Sequence, residues 1–193
     1  SRATPAALRE QRERETIFPH RSAGENCLSS RCEIYIDDTA RTIDDVESTV
    51  REAKRRFDIG MVIVDYLQLV NDSPGSKPNT TNDAVAVKSN RLKDLAKSQN
   101  IAALVLCQLS RACELRADKR PQLSDLRDSG SIEQDADAVM FLYRADVYAQ
   151  AEAGCESRME INVAKQRQGP IGMVYCLFEA ATGTVGEWTP RTE

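Results

Sequence analysis

The chain has 193 residues, of which 41% are apolar and 29% charged, with a formal net charge of −4. That length suits one hydrophobic core, and the composition excludes a disordered tail. No apolar run approaches the roughly 18 residues that span a bilayer, the stretch from Ser1 to Arg14 is too polar for a secretory segment, and the acidic balance argues against indiscriminate nucleic-acid binding while allowing a local basic groove.

Residues 1–32 read as a polar lead rich in arginine, expected to be a frayed terminus. Ala6 to Ile17 is long enough for a short helix, which Pro19 would stop. The chain opens on Ser1, not Met, so a fragment of a longer protein is expected. The cysteines Cys27, Cys32, Cys107, Cys113, Cys155 and Cys176 form no C-x-x-C pair, and His20 is the sole histidine. Reduced thiols of a cytoplasmic protein, with no structural metal, are therefore expected.

From Glu33 the pattern changes. Ile34-Tyr35-Ile36 reads as a short strand. Thr42 followed by Asp45 gives a helix N-cap and a first-turn acid, and Val46, Val50, Ala53 and Phe57 continue at helical spacing, so residues 43–57 are expected to be a helix. Met61 to Val64 is a continuous apolar run ending in Asp65, as in a strand buried on both faces. Asn71 to Asn82 carries the residues of a long loop. Residues 83–98 are expected to be helical, with Val85, Leu92, Leu95 and Ala96 inward, and Ile101 to Leu106 is a second buried strand leading to Gln108. Residues 110–136 look polar and irregular, Ala138 to Tyr143 is a third strand, and residues 145–157 are a linker or short helix. Met159 to Ala164 and Met173 to Phe178 flank Gly169-Pro170 and Gly172 as a hairpin. The fold class is α/β: a mostly parallel sheet flanked by helices, finished by an antiparallel hairpin.

In such sheets ligands meet the carboxyl ends of the strands. Asp65 there can hold Mg²⁺, a hard cation that prefers carboxylate oxygen, or can simply cap a turn. Gln108 can hydrogen-bond a terminal phosphate or an attacking water, or be an ordinary strand-end amide. Residues 110–137 carry Arg111, Arg116, Lys119, Arg120 and Arg127 beside the small residues Ser129, Gly130 and Ser131. That loop can contact phosphates without reading bases, or be a charge-balanced solvated loop. Lys165 and Arg167 alternate, so they project to one side of a strand. They can reach a neighbour's triphosphate, or protect an exposed sheet edge.

Val62-Ile-Val-Asp-Tyr-Leu-Gln-Leu-Val70 resembles the Walker B motif of DnaB-type replicative helicases. Gln108-Leu-Ser-Arg111, Glu114, Arg116 and Asp118-Lys-Arg-Pro121 continue the resemblance in order. Ser124 to Asp137 is similar to the family's DNA-contacting motif, and Ala164-Lys-Gln-Arg167 with Gly169-Pro170 to its arginine-finger motif. The resemblance covers about residues 33–178 and implies a RecA-like motor domain, here partial and spanning 33–193. It implies ATP and Mg²⁺ as cofactors, a homo-hexameric ring, and single-stranded DNA as partner during replication, with primase and a helicase loader as further partners and no membrane. Residue by residue, it implies that Asp65 binds Mg²⁺ through water and that Gln108 senses the γ-phosphate. Arg127, Asp128 and Gly130 would lie on the DNA-binding loop, and Lys165 and Arg167 would act in trans on the adjacent subunit's ATP.

The sequence departs from the family in one large respect. Among its nine glycines none begins Gly-Lys-Ser or Gly-Lys-Thr, so the Walker A loop, its strand and the catalytic glutamate just downstream are not found. Asp128 stands where the family usually has Glu, Ile171 where it has Thr, and Ala84 and Lys88 where Glu and Ile are expected. The chain alone is therefore expected to hydrolyse ATP negligibly. The alternatives are a degenerate, catalytically inactive remnant that keeps subunit-interface or DNA contacts, and a RecA-like recombinase or signalling ATPase. The last shares the Asp-ended strand but is not expected to carry the Ser124–Ser131 and Lys165–Arg167 blocks together.

Overall fold

A computed structural model describes residues 18–19, 33–76, 78, 80–148 and 156–189. Its strands are β1 (Phe18–Pro19), β2 (Tyr35–Ile36), β3 (Met61–Val64), β4 (Ala102–Val105), β5 (Ala138–Arg144), β6 (Glu156–Gln166), β7 (Gly172–Glu179) and β8 (Thr184–Glu187). Its α-helices are α1 (Ile43–Phe57), α2 (Thr81–Gln99) and α3 (Gly130–Asp135). Apart from β1, the expected polar lead, with its helix over Ala6 to Ile17, lies outside the described residues, as does most of the expected 145–157 linker.

The expected α1 forms with the bounds its sequence signals set. Thr42 Oγ1 accepts from the Asp45 N–H, and the Asp45 carboxylate accepts in return from the Thr42 N–H at 2.8 Å. Two N-terminal donors that lack helical partners are thereby satisfied. At the other end the left-handed Asp58 (φ 49°) donates its N–H to the Lys54 carbonyl. α2 starts two residues earlier than its apolar spacing suggested, because Thr80 accepts from the Asp83 N–H.

The inward stripe of α2 includes Val85, Leu92 and Leu95, all buried, and also the charged Lys88. Lys88 escapes an unpaired burial by donating to the Val70 carbonyl at 2.7 Å, with Asp72 at 3.5 Å. Lys88, which stands where the resemblance leads one to expect Ile, thus anchors the end of the Walker B-like run. Both long helices join Val64, Leu67 and Val70 in a single apolar cluster.

β3 and β4 pair in parallel, with Val64 opposite Val105. β5, β6, β7 and β8 form a separate antiparallel sheet in that order. The class is α/β as expected, with β8 as an additional strand. Residues 110–136, expected to be irregular, are mostly short helices: 3₁₀ turns over Arg111–Leu115 and Leu123–Ser129, then α3. Their polar composition hid this, because the apolar anchors Cys113, Leu123, Leu126 and Ile132 are too few to set a period.

Burial of β3 and β4 on both faces does not hold. Val62, Val64 and Val105 pack inward, but Met61, Ile63, Leu104 and Leu106 are exposed. The register places Ile63 beside Leu104, so these side chains share one face. α1 and α2 cover the opposite face, and no described helix covers this one. A cleft of about 1170 Å³, walled in part by α2, lies between β4 and β5 and is lined mainly by apolar atoms. Consecutive residues line it, 101–107 on one side and 138–142 on the other. Side chains alternate across a strand, so unbroken runs mean that backbone edges border the cleft. Among the described residues, β4 pairs only with β3 and β5 only with β6.

Candidate functional site

Asp65 and Gln108 lie just beyond the carboxyl ends of neighbouring parallel strands. The ladder runs on past the strands: Leu106 N–H donates to Val64 O and Leu67 N–H to Leu106 O, both at 2.9 Å. These bonds hold the two strand-end segments together, and both Asp65 and Gln108 are exposed there. No described side chain engages the Asp65 carboxylate, so its oxygens remain open to a hard cation. The Asp65–Tyr66 peptide is cis. Gln68 clips the second strand end to the first. Its side-chain amide donates to Gln108 O at 3.1 Å, and its Oε1 accepts from Gln108 N–H at 3.2 Å. Gln68 carried no role in the sequence reading; its partner lies 40 residues away, which no local pattern reveals.

Lys165 is the penultimate residue of β6, and Arg167 follows the strand. The alternation expected of them holds, for both reach the end of α3. Lys165 Nζ donates to Glu133 O, and Arg167 Nη2 donates to Gln134 O at 2.6 Å. Arg167 Nη1 also reaches Asp137 Oδ1 at 3.1 Å, and its N–H bonds Asp137 O at 2.9 Å. Asp137 takes a second cation, Lys93 of α2, on its other oxygen. That hydrogen bond first, then the charges of Lys93 and Arg167, holds the Asp137 carboxyl below the usual carboxylate range.

Arg127 and Asp128 fall on the 3₁₀ segment Leu123–Ser129, and Gly130 opens α3. The base of this segment is fixed by two ion pairs. Arg116 forms a two-point pair with Asp125, at 2.7 Å on both oxygens, and Asp125 also accepts from the Gln122 N–H. Arg120 grips Glu160 of β6 at 2.7 and 2.9 Å, with Arg158 alongside. The guanidinium of Arg116 lowers the Asp125 carboxyl below its ordinary range, and that of Arg120 does the same for the buried Glu160. Glu160 and Lys93 were not singled out from sequence, because each meets its partner through tertiary packing.

The family profile described as the DnaB-like helicase C terminal domain matches residues 11–186. The chain belongs to the DnaB-like helicase family. It is 45% identical over 150 residues to the replicative DNA helicase DnaB of Geobacillus stearothermophilus, covering 77% of this chain and 33% of that protein. It is 39% identical over 180 residues to the DnaB of Rickettsia prowazekii, covering 84% of this chain and 37% of that protein. The chain thus spans about a third of the length of these DnaB relatives.

Among solved structures, one ATPase domain aligns with a TM-score of 0.70 at 36% identity, over 80% of this chain and 54% of that one. A DnaB-like replicative helicase, solved with its interactions with primase, aligns with a TM-score of 0.71 at 35% identity, over 80% of this chain and 36% of that one. The RecA-like α/β fold expected for a DnaB-like domain is therefore shown. The profile match also begins well inside the polar lead, earlier than the motifs alone indicated.

Proposed function

We propose that the chain is part of a replicative DNA helicase motor, residues 33–193 forming a partial RecA-like domain that couples ATP hydrolysis to movement on single-stranded DNA. The observation that carries this reading is the meeting of Asp65 and Gln108 at adjacent parallel strand ends, with Gln68 locking one to the other. The open Asp65 carboxylate fits Mg²⁺ held through water, and the ion would neutralise charge on a transferring phosphoryl group. Gln108 would present its amide to the terminal phosphate, its backbone already held. Lys165 and Arg167 would serve a neighbouring subunit's ATP in a hexameric ring.

The phosphates would also need a glycine-rich cradle, which no Gly-Lys-Ser or Gly-Lys-Thr of this sequence supplies. The cleft between β4 and β5 offers two strand edges and apolar walls to the strand that precedes such a cradle in this family. By itself, then, the chain would turn over ATP negligibly. Primase, a loader and a cytoplasmic location follow from the same reading.

DNA contact is assigned to Arg127, Asp128 and Gly130. The test is a salt titration of binding to a labelled single-stranded oligonucleotide by the 193-residue chain. Arg127→Ala is expected to weaken binding and to lower the salt slope by about 0.7, one phosphate contact on a single strand. Unchanged affinity and slope would remove the assignment.

A further inference from the structure

We propose that Lys165 and Arg167 act in cis as positioning residues for the DNA-contacting segment, by gripping the carboxyl-terminal carbonyls of α3. The DNA part of this inference rests on the function proposed above. The grip itself stands on the geometry alone.

α3 has six residues, Gly130–Asp135, too few for a helix to hold its own shape in water. Its last carbonyls lack intrahelical partners, and they carry the negative end of the helix dipole. Lys165 takes Glu133 O and Arg167 takes Gln134 O, so two cations satisfy two of these acceptors. Arg167 is fixed in turn through Asp137, which Lys93 holds from α2. The end of α3 is thereby tied to β6 and α2 together.

α3 also packs against α2 and against the 3₁₀ segment that precedes it. Ile132 packs against the main apolar cluster. Ser131 Oγ and Asp135 Oδ2, by contrast, are buried with no hydrogen-bond partner among the described residues. Each orphaned oxygen opposes the present seating. Packing on α2 holds the body of α3, and the charge-assisted grip is what secures its C-terminal end.

Chain order then gives the grip a consequence. Gly130 begins α3, and Arg127 and Asp128 immediately precede it on the 3₁₀ segment. A shift of α3 displaces these residues with it. The donors that hold α3 are also those assigned to a neighbour's triphosphate. An N–H directed at a phosphate oxygen is withdrawn from a carbonyl, so the two engagements compete. Nucleotide at the subunit boundary would thus loosen the seat of the DNA-contacting segment.

The test is amide hydrogen exchange on the full chain, with single-stranded DNA binding as a second arm. In Arg167→Ala, amides of residues 131–136 should exchange about tenfold faster or more, including Ala136 N–H, which bonds Ile132 O. Amides of the β6–β7 ladder should be unchanged, which separates the effect from global unfolding. Arg167→Lys should recover part of the protection, and Lys165→Met should reproduce the loss on its own. Unchanged exchange over 131–136 in both loss variants overturns the grip.

With the oligonucleotide, Arg167→Ala should weaken binding about three- to tenfold while leaving the salt slope as in wild type, because Arg167 acts through α3. A slope lowered as in Arg127→Ala would make Arg167 a direct phosphate contact and overturn the positioning role. If the wild-type chain binds no single strand, the proposed function loses its DNA assignment. The exchange arm still decides the grip.

Discussion

The side chain of Gln68 and the backbone of Gln108 form a closed two-bond clip, one bond donated and one accepted, at 3.1 and 3.2 Å. It joins the segments that leave β3 and β4, and so fixes Gln108 relative to Asp65. Gln68→Ala should raise exchange at the Gln108 amide by about two- to tenfold, as expected for one modest neutral hydrogen bond. Exchange at Leu106 N–H should not change, since its acceptor is the Val64 carbonyl. A uniform rise across β4 would mean that Gln68 stabilises the strand pair generally, not the position of Gln108.

On the proposed function, Asp65 would need a phosphate cradle beside it, and no Gly-Lys-Ser or Gly-Lys-Thr occurs in this sequence. Purified chain with ATP and Mg²⁺ should therefore release phosphate at the buffer rate, and Asp65→Asn should not change that rate. Turnover that depends on Asp65 would show that the described strand ends complete a site without a Walker A loop.

Acid sensitivity should trace to Asp125 and Glu160. Both are ion-paired carboxyls whose folded pKa lies below the unfolded value, which is about 4. Their contribution is present above that unfolded value and is lost as pH falls through the folded one. Urea midpoints should drop as pH is lowered from about 5 toward the folded values, and less steeply in Asp125→Asn, which no longer titrates there. An equal pH slope in wild type and variant would exclude Asp125 as a contributor.

Core and surface leucines should separate clearly in the same unfolding measurement. Leu95 is 1% exposed among both long helices' apolar partners, and Leu95→Ala should cost roughly 2–5 kcal/mol. Leu115 is 90% exposed, and Leu115→Ala should stay within about 0.5 kcal/mol of wild type.

Sequence alone determined the two long helices, the main strands and the order of the motifs. Thr42 and Asp45 set the start of α1 through contacts three residues apart, and an apolar run ending in Asp65 marked β3. The family was legible for the same reason, since its motifs are short blocks in fixed order. Only the tertiary structure decided what those blocks meet. Gln68 with Gln108, Arg120 with Glu160, and Lys165 with Glu133 are separated by 40, 40 and 32 residues, and no periodicity encodes such pairs. The exposed face of β3 and β4 was equally hidden: an apolar run states that a strand can be buried on both sides, whereas packing decides which sides find partners. Here both long helices pack on one face, and Ile63 and Leu104 stay exposed on the other.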